Sequence, residues 1–346
     1  MTRRIALLVA MSGVLGVSVA SAGPSGYAWH DTPTGSAARL RGVAAVSSTT
    51  AWASGSLGTV LRTTNRGATW QQVGPPGTAT LQFRDIAAFD ADHAVIMSIG
   101  DNPTDFRIYV TANGGQSWTL TFVNQEPTAF YDCMTFFDER RGLALSDPPD
   151  GQHFRVIATD DGGLHWHVTG AQMPAALPGE FAFAASGQCI TSDHGRRAWF
   201  GTGGGAQARV FRSDDGGASW TVAPTPLNSG PTAGIFALAF RGQQHGLAVG
   251  GDFLLETASP DNFARTSDGG ASWQLLTGAP SEYRSGATWV DGHTAIAVGP
   301  SGSDVSTDAG TSWQRFDDGS LDTVDCASPV ACWASGANGR VAYLTR

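Results

Sequence analysis

The chain has 346 residues, a formal charge of −9, and 45 Gly, 17 Phe and 11 Trp; only 15% of its residues are charged. All 21 basic residues are Arg, against 30 Asp and Glu, which argues against a general nucleic-acid or anionic-membrane binder, since both want a basic surface. No convincing amphipathic helix is written anywhere, so the composition points to an all-β chain with many turns.

Residues 1–22 read as a signal peptide. Arg3 and Arg4 form the charged start, Ile5 to Val19 the apolar run, and Ala20-Ser21-Ala22 the small-residue cleavage site. Cleavage leaves 19 Arg against 30 acidic residues, a charge of −11, and a protein expected to be secreted or periplasmic, monomeric, and free of any membrane insertion. Residues 23–346 carry no low-complexity linker and read as one domain.

One sentence of sequence, [S/T]-x-[D/N]-x-G-x-x-W, then recurs six times. It runs from Thr63 to Trp70 with Asn65, Thr111 to Trp118 with Asn113, Thr159 to Trp166 with Asp161, Ser213 to Trp220 with Asp215, Thr266 to Trp273 with Asp268, and Ser306 to Trp313 with Asp308. The carboxylate or amide caps backbone N–H groups in a tight turn, Gly supplies a conformation closed to residues with a Cβ, and Trp anchors the corner in an apolar seam. Such a corner satisfies itself and needs no ligand. The tryptophans are 48, 48, 54, 53 and 40 residues apart, a period of a propeller or solenoid. Between them lie short alternating runs such as Ala94-Val95-Ile96-Met97 and Ala295-Ile296-Ala297-Val298, four per period, which is one propeller blade. A seventh unit, Asp322 to Tyr343, lacks the motif, and Tyr27-Ala28-Trp29 is written like the strand it lacks. The expected fold is therefore a seven-bladed β-propeller of four-stranded blades, closed by pairing the N-terminal strand with the C-terminal blade.

These repeats resemble the Asp box, or BNR repeat, of sialidases, sortilin-type receptors and related propellers. The resemblance implies that each box sits at the turn into the outermost strand, away from any channel site. The text Ala51-Trp52-Ala53-Ser54-Gly55, Gly58-Thr59-Val60, then Thr63 to Trp70, is most similar to the photosystem II stability/assembly-factor-like family. That resemblance implies a non-enzymatic scaffold that binds a protein or glycan partner, with an Arg-rich patch on the ring. A sialidase-like glycoside hydrolase or lyase is the alternative, although Phe83-Arg84-Asp85-Ile86 departs from the sialidase Phe/Tyr-Arg-Ile-Pro stretch.

Propeller sites lie where the inner strands begin. Aligning those strands by their apolar text gives an entry column of Arg41, Arg84, Tyr131, Glu180, Ile235, Arg284 and Asp322. The arginines there would bind a carboxylate, sulfate or phosphate through paired N–H groups. In the enzyme reading Tyr131 is the nucleophile, Glu180 its base and Asp132 a neighbouring acid. No cofactor is expected. No metal is expected either: there is no CxxC, the eight His are scattered, and Asp90 to His93 and Asp193-His194 read as turns. The four Cys suit an oxidising compartment. Cys326 and Cys332 are expected to bridge a turn in the last blade; Cys133 and Cys189 fall on neighbouring blades, and spacing alone leaves their pairing open.

Overall fold

The computed structural model describes residues 26–346. The predicted targeting segment lies outside the described residues. Seven four-stranded antiparallel sheets form the ring. The inner strands of blades 1 to 7 are Leu40–Ala45, Gln82–Ala88, Tyr131–Phe136, Ile190–Ser192, Ala233–Arg241, Gly286–Trp289 and Thr323–Ser328. The ring closes as expected: Ala28–Thr32 pairs with Val341–Thr345 and completes blade 7 as its outermost strand. Both outer edges of the chain are thereby used up in one sheet.

Each motif makes the self-satisfied corner that its residue types dictate. Thr266 Oγ1 donates to Asp268 Oδ1 at 2.7 Å and accepts from the Gly270 N–H at 2.9 Å. Asp268 accepts from the N–H and hydroxyl of Ser272 at 3.0 and 2.6 Å. Gly269 and Gly270 have φ of 74° and 87°, the left-handed region that disfavours any Cβ. Burial pulls the Asp268 pKa up, but the Ser272 and Thr266 hydroxyls and the turn N–H groups outweigh it and bring it to about 2.

The blades hold each other through apolar seams and a few directed bonds. Trp52, Trp199 and Trp333 occupy the same position on the second strands of blades 1, 4 and 7, and all three are fully buried. Their indole N–H groups donate to backbone carbonyls of the next blade, at Asp90, Gly269 and Ser47. One indole thus fills the seam and fixes the angle between blades.

Both disulfides are formed. Cys326–Cys332 spans the turn between the first two strands of blade 7, and Cys133–Cys189 joins blades 3 and 4 with Cα atoms 6.1 Å apart.

Candidate functional site

Strand register resets the entry column. In blades 1, 2, 3 and 5 the inner strand has a bulge near its start, where one residue lacks a partner on the second strand. The bulged residues are Arg41, Arg84, Asp132 and Phe236. Counting back from the motif residues through the paired strands places Gln188 and Ser285 at the same level in blades 4 and 6; in blade 7, which lacks the motif, the match of Trp333 to Trp52 places Asp322 there. The sequence alignment was therefore right at Arg41, Arg84 and Asp322. It was one residue early at Tyr131 and Ile235, where the bulge adds a residue without disturbing the alternating text, and one residue early at Arg284, where the strand has no bulge and the text alone does not fix the register. Glu180 was assigned to a strand that begins only at Ile190.

The segment from Glu180 to Cys189 does something else: it fills the central channel. The Arg84 guanidinium donates to the Ala184 carbonyl at 2.6 Å, and Arg41 reaches the Ala185 carbonyl at 3.5 Å. Ser186 Oγ donates to the Ser285 carbonyl at 2.6 Å and Thr323 Oγ1 donates to the Ser186 carbonyl at 3.1 Å. The Gln188 amide donates to the carbonyls of Ala287 and Val324 at 3.0 and 2.9 Å and accepts from the Ala287 N–H. Gly187 has φ of 74°, and a Cβ there would lie 2.4 Å from Asp85 Oδ1, so only glycine passes between the plug and blade 2. With the Cys133–Cys189 bond and the bond from Leu238 N–H to the Gln188 carbonyl, this plug is tied to every other blade.

The plug divides the channel. On the side where the inner strands begin is a chamber of about 340 Å³ lined by Arg39, Arg41, Arg84, Phe183, Phe236, Phe253, Glu256 and Tyr283. On the other side a chamber of about 350 Å³ includes Asp85, Asp138, Glu139, His194 and Asp325 in its wall. The first is cationic and aromatic, the second acidic.

The three arginines of the mouth differ. Arg39 is matched by a two-pronged pair with Asp322, at 2.9 Å from Nε and 2.6 Å from the terminal nitrogen. Arg41 and Arg84 form no ion pair among the described residues; their bonds run to backbone carbonyls and to the Gln82 side chain. Burial lowers the Arg41 pKa, against the pull of Asp322. Burial, with Arg41 and Arg39 close by, pushes Arg84 down to about 9. Two positive groups held partly out of water, neither in an ion pair with the nearby Asp322 or Glu256, are an unfavourable arrangement that an incoming anion relieves.

The remaining predicted residues are corrected by their surroundings. Arg284 is fully buried and is held by Asp304, Glu282, the Tyr283 carbonyl and Ser301. It braces blade 6 and offers nothing to a ligand. The Glu180 side chain has no exposed surface; Arg209 grips both its oxygens, and Thr202 Oγ1 and the Leu177 N–H donate to it at 2.6 and 2.7 Å. Tyr131 is 3% exposed and packs edge-on against Phe122. Burial raises its pKa to about 12, the wrong direction for a nucleophile. Asp132 sits at the bulge level but is 1% exposed and faces Asp147. Burial first, then the neighbouring carboxyl, holds the pKa of Asp132 well above the ordinary 3.8, so the pair shares a proton. Asp147 in turn accepts from the Ala182 N–H of the plug at 2.8 Å. The sequence reading missed Arg39, Glu256, Tyr283 and the aromatic walls Phe183, Phe236 and Phe253. Among the described residues no cluster of His, Cys, Asp and Glu is arranged to hold a metal, and no helix is long and apolar enough to cross a membrane.

The fold and mouth define a class: a seven-bladed propeller whose channel is plugged and whose entry face carries unmatched arginines. Among solved structures the chain is similar to YCF48 bound to a D1 peptide, with a TM-score of 0.67 at 14% identity over 92% of this chain and 97% of that one. It is also similar to YCF48 from Cyanidioschyzon merolae, with a TM-score of 0.65 at 14% identity, covering 92% and 98%. A GH74 xyloglucanase from Xanthomonas campestris matches with a TM-score of 0.60 at 14% identity over 91% of this chain and 53% of the enzyme. At these identities the likeness is one of fold. No family model and no curated protein matches the chain.

Proposed function

We propose that the ring is a non-enzymatic binding scaffold that receives an acidic segment of a protein partner in its arginine-lined mouth. The observation that carries this reading is the pair Arg41 and Arg84, half-buried along the chamber wall, with no carboxylate among the described residues paired to either. The plug behind them gives a rigid floor, and Phe183, Phe236 and Phe253 offer apolar contact beside the charge. The similar structure of YCF48 with a D1 peptide supports a protein ligand for a propeller of this shape. Export through the N-terminal segment belongs to the same reading and is supported by the pairing of all four cysteines.

The test is a peptide array that compares acidic sequences with their Glu→Gln and Asp→Asn counterparts, probed with the wild-type protein and the Arg41→Gln/Arg84→Gln variant. Preferential binding of the acidic peptides, weakened at least tenfold in the variant, is expected. Equal binding of acidic and neutralised peptides, or a variant that binds like the wild type, refutes the assignment.

A further inference from the structure

A cavity of about 410 Å³ lies at the outer rim between blades 5 and 6, on the face opposite the mouth. Arg241, His245, Arg265, Trp273 and Trp289 line it, and no Asp or Glu among the described residues does. That is unexpected in a chain with 30 acidic residues.

The repeat supplies an internal comparison. Arg62, Arg212 and Arg265 each immediately precede the first residue of a motif, in blades 1, 4 and 5. Arg62 pairs with Asp92 of the next blade, and Arg212 pairs with Asp214, the second residue of its own motif. In blade 5 both acids are gone. The position of Asp214 is Ser267, and the position of Asp92 in the following blade is His293. Among the described residues Arg265 is left with a single bond, to Thr311 Oγ1 at 3.0 Å.

Beside it the Arg241 guanidinium lies 4.7 Å over the Trp289 ring. Stacking fixes the plane of the fork and leaves its N–H edge for an oxyanion. The motif indoles Trp70, Trp118, Trp166, Trp220 and Trp313 each donate to a protein oxygen, whereas Trp273 Nε1 is buried with no acceptor among the described residues. Ser267, Ser272 and Gln274 line the same cavity.

We propose that this seam binds an acidic saccharide unit, its carboxylate or sulfate held between Arg241 and Arg265 and its ring set against Trp273. The chemistry is that of a planar fork on an oxyanion with an aromatic face and hydroxyl-bonding groups alongside. This site is separate from the mouth and does not rest on it.

Titration calorimetry with four probes tests it: a uronic-acid oligosaccharide, a sulfated oligosaccharide, a neutral one of equal length, and inorganic sulfate. Arg241→Gln/Arg265→Gln removes both forks. Ser267→Asp restores the acid that blade 4 carries and leaves every lining arginine in place. At least one acidic oligosaccharide is expected to bind at least tenfold more tightly than the neutral one and than free sulfate, with both variants weakening it at least tenfold while melting like the wild type. Equal binding of the neutral sugar, equal binding of free sulfate, full binding by Ser267→Asp, or no heat with either acidic sugar at millimolar concentration overturns the proposal.

Discussion

Arg84 and Ala184 meet across the central channel, the guanidinium donating to the carbonyl at 2.6 Å. An arginine expected to face an open pore instead leans on a segment that fills it. The plug turns a hole into a floor, and the arginines around that floor become walls of a shallow cationic cup.

The foot of the plug is the Cys133–Cys189 bond, which closes a loop of 56 residues. Cross-links of that size typically contribute about 2–4 kcal/mol, mostly by restricting the unfolded chain. Cys133→Ser, Cys189→Ser and the double variant should each lose a stability of that order, with the double no worse than the singles. Urea unfolding at fixed pH measures it; a loss that adds across the two singles contradicts the paired assignment.

Glu180 and Arg209 should behave as structure. Removing one member of a buried ion pair leaves the other charge unmatched and typically costs about 3–5 kcal/mol. Glu180→Gln and Arg209→Gln should therefore lower the melting temperature by several degrees, as should Arg284→Gln through Asp304. A Glu180→Gln variant that melts like the wild type would return that residue to the list of groups available for chemistry.

Asp85 sets a pH dependence. Burial raises its pKa from 3.8 to about 8, overriding the N–H groups of Met134 and Ile86 that donate to it. The folded state thus holds a proton that the unfolded state releases, so stability is complete below about pH 4 and declines as pH rises toward 8. One such group gives a slope of about 1.4 kcal/mol per pH unit in that window. The raised Asp132–Asp147 pair acts with the same sign. The motif carboxylates act with the opposite sign: Asp161 and Asp268, both lowered to about 2, lose their contribution only as pH falls below about 4. Asp85→Asn should flatten the decline between pH 4 and 8. Chemical unfolding at each pH shows whether it does, and an unchanged slope would exclude Asp85 as its source.

Where the chain was legible, the signal was local. Each motif makes its turn bonds within eight residues, so six copies spelled six corners, and their spacing together with the strand-like Tyr27-Ala28-Trp29 foretold a closed ring. The entry column was harder, since nothing in Tyr131-Asp132-Cys133 marks which residue the bulge consumes. Blade 4 misled more. Phe181-Ala182-Phe183 alternates like a strand, yet its side chains serve the plug and the mouth, and the true strand is three residues long. Cys189 was the available cue, because a bond to Cys133 on one inner strand requires the other inner strand to start nearby. Which arginines are matched was not legible at all. Arg284 and Arg84 look alike in sequence, and only the fold places Asp304 against one and a bare carbonyl against the other.

The claim that Arg41 and Arg84 are held unmatched for an incoming anion is tested most directly by thermal unfolding with and without a saturating acidic peptide. A group kept for binding weakens the empty protein, and a ligand of the folded state raises its melting temperature. The Arg41→Gln/Arg84→Gln variant should melt at or above the wild type when empty, and the peptide should stabilise the wild type alone. A variant that melts several degrees lower and still gains the same increment from the peptide would mean that these arginines brace the plug and that partners bind elsewhere.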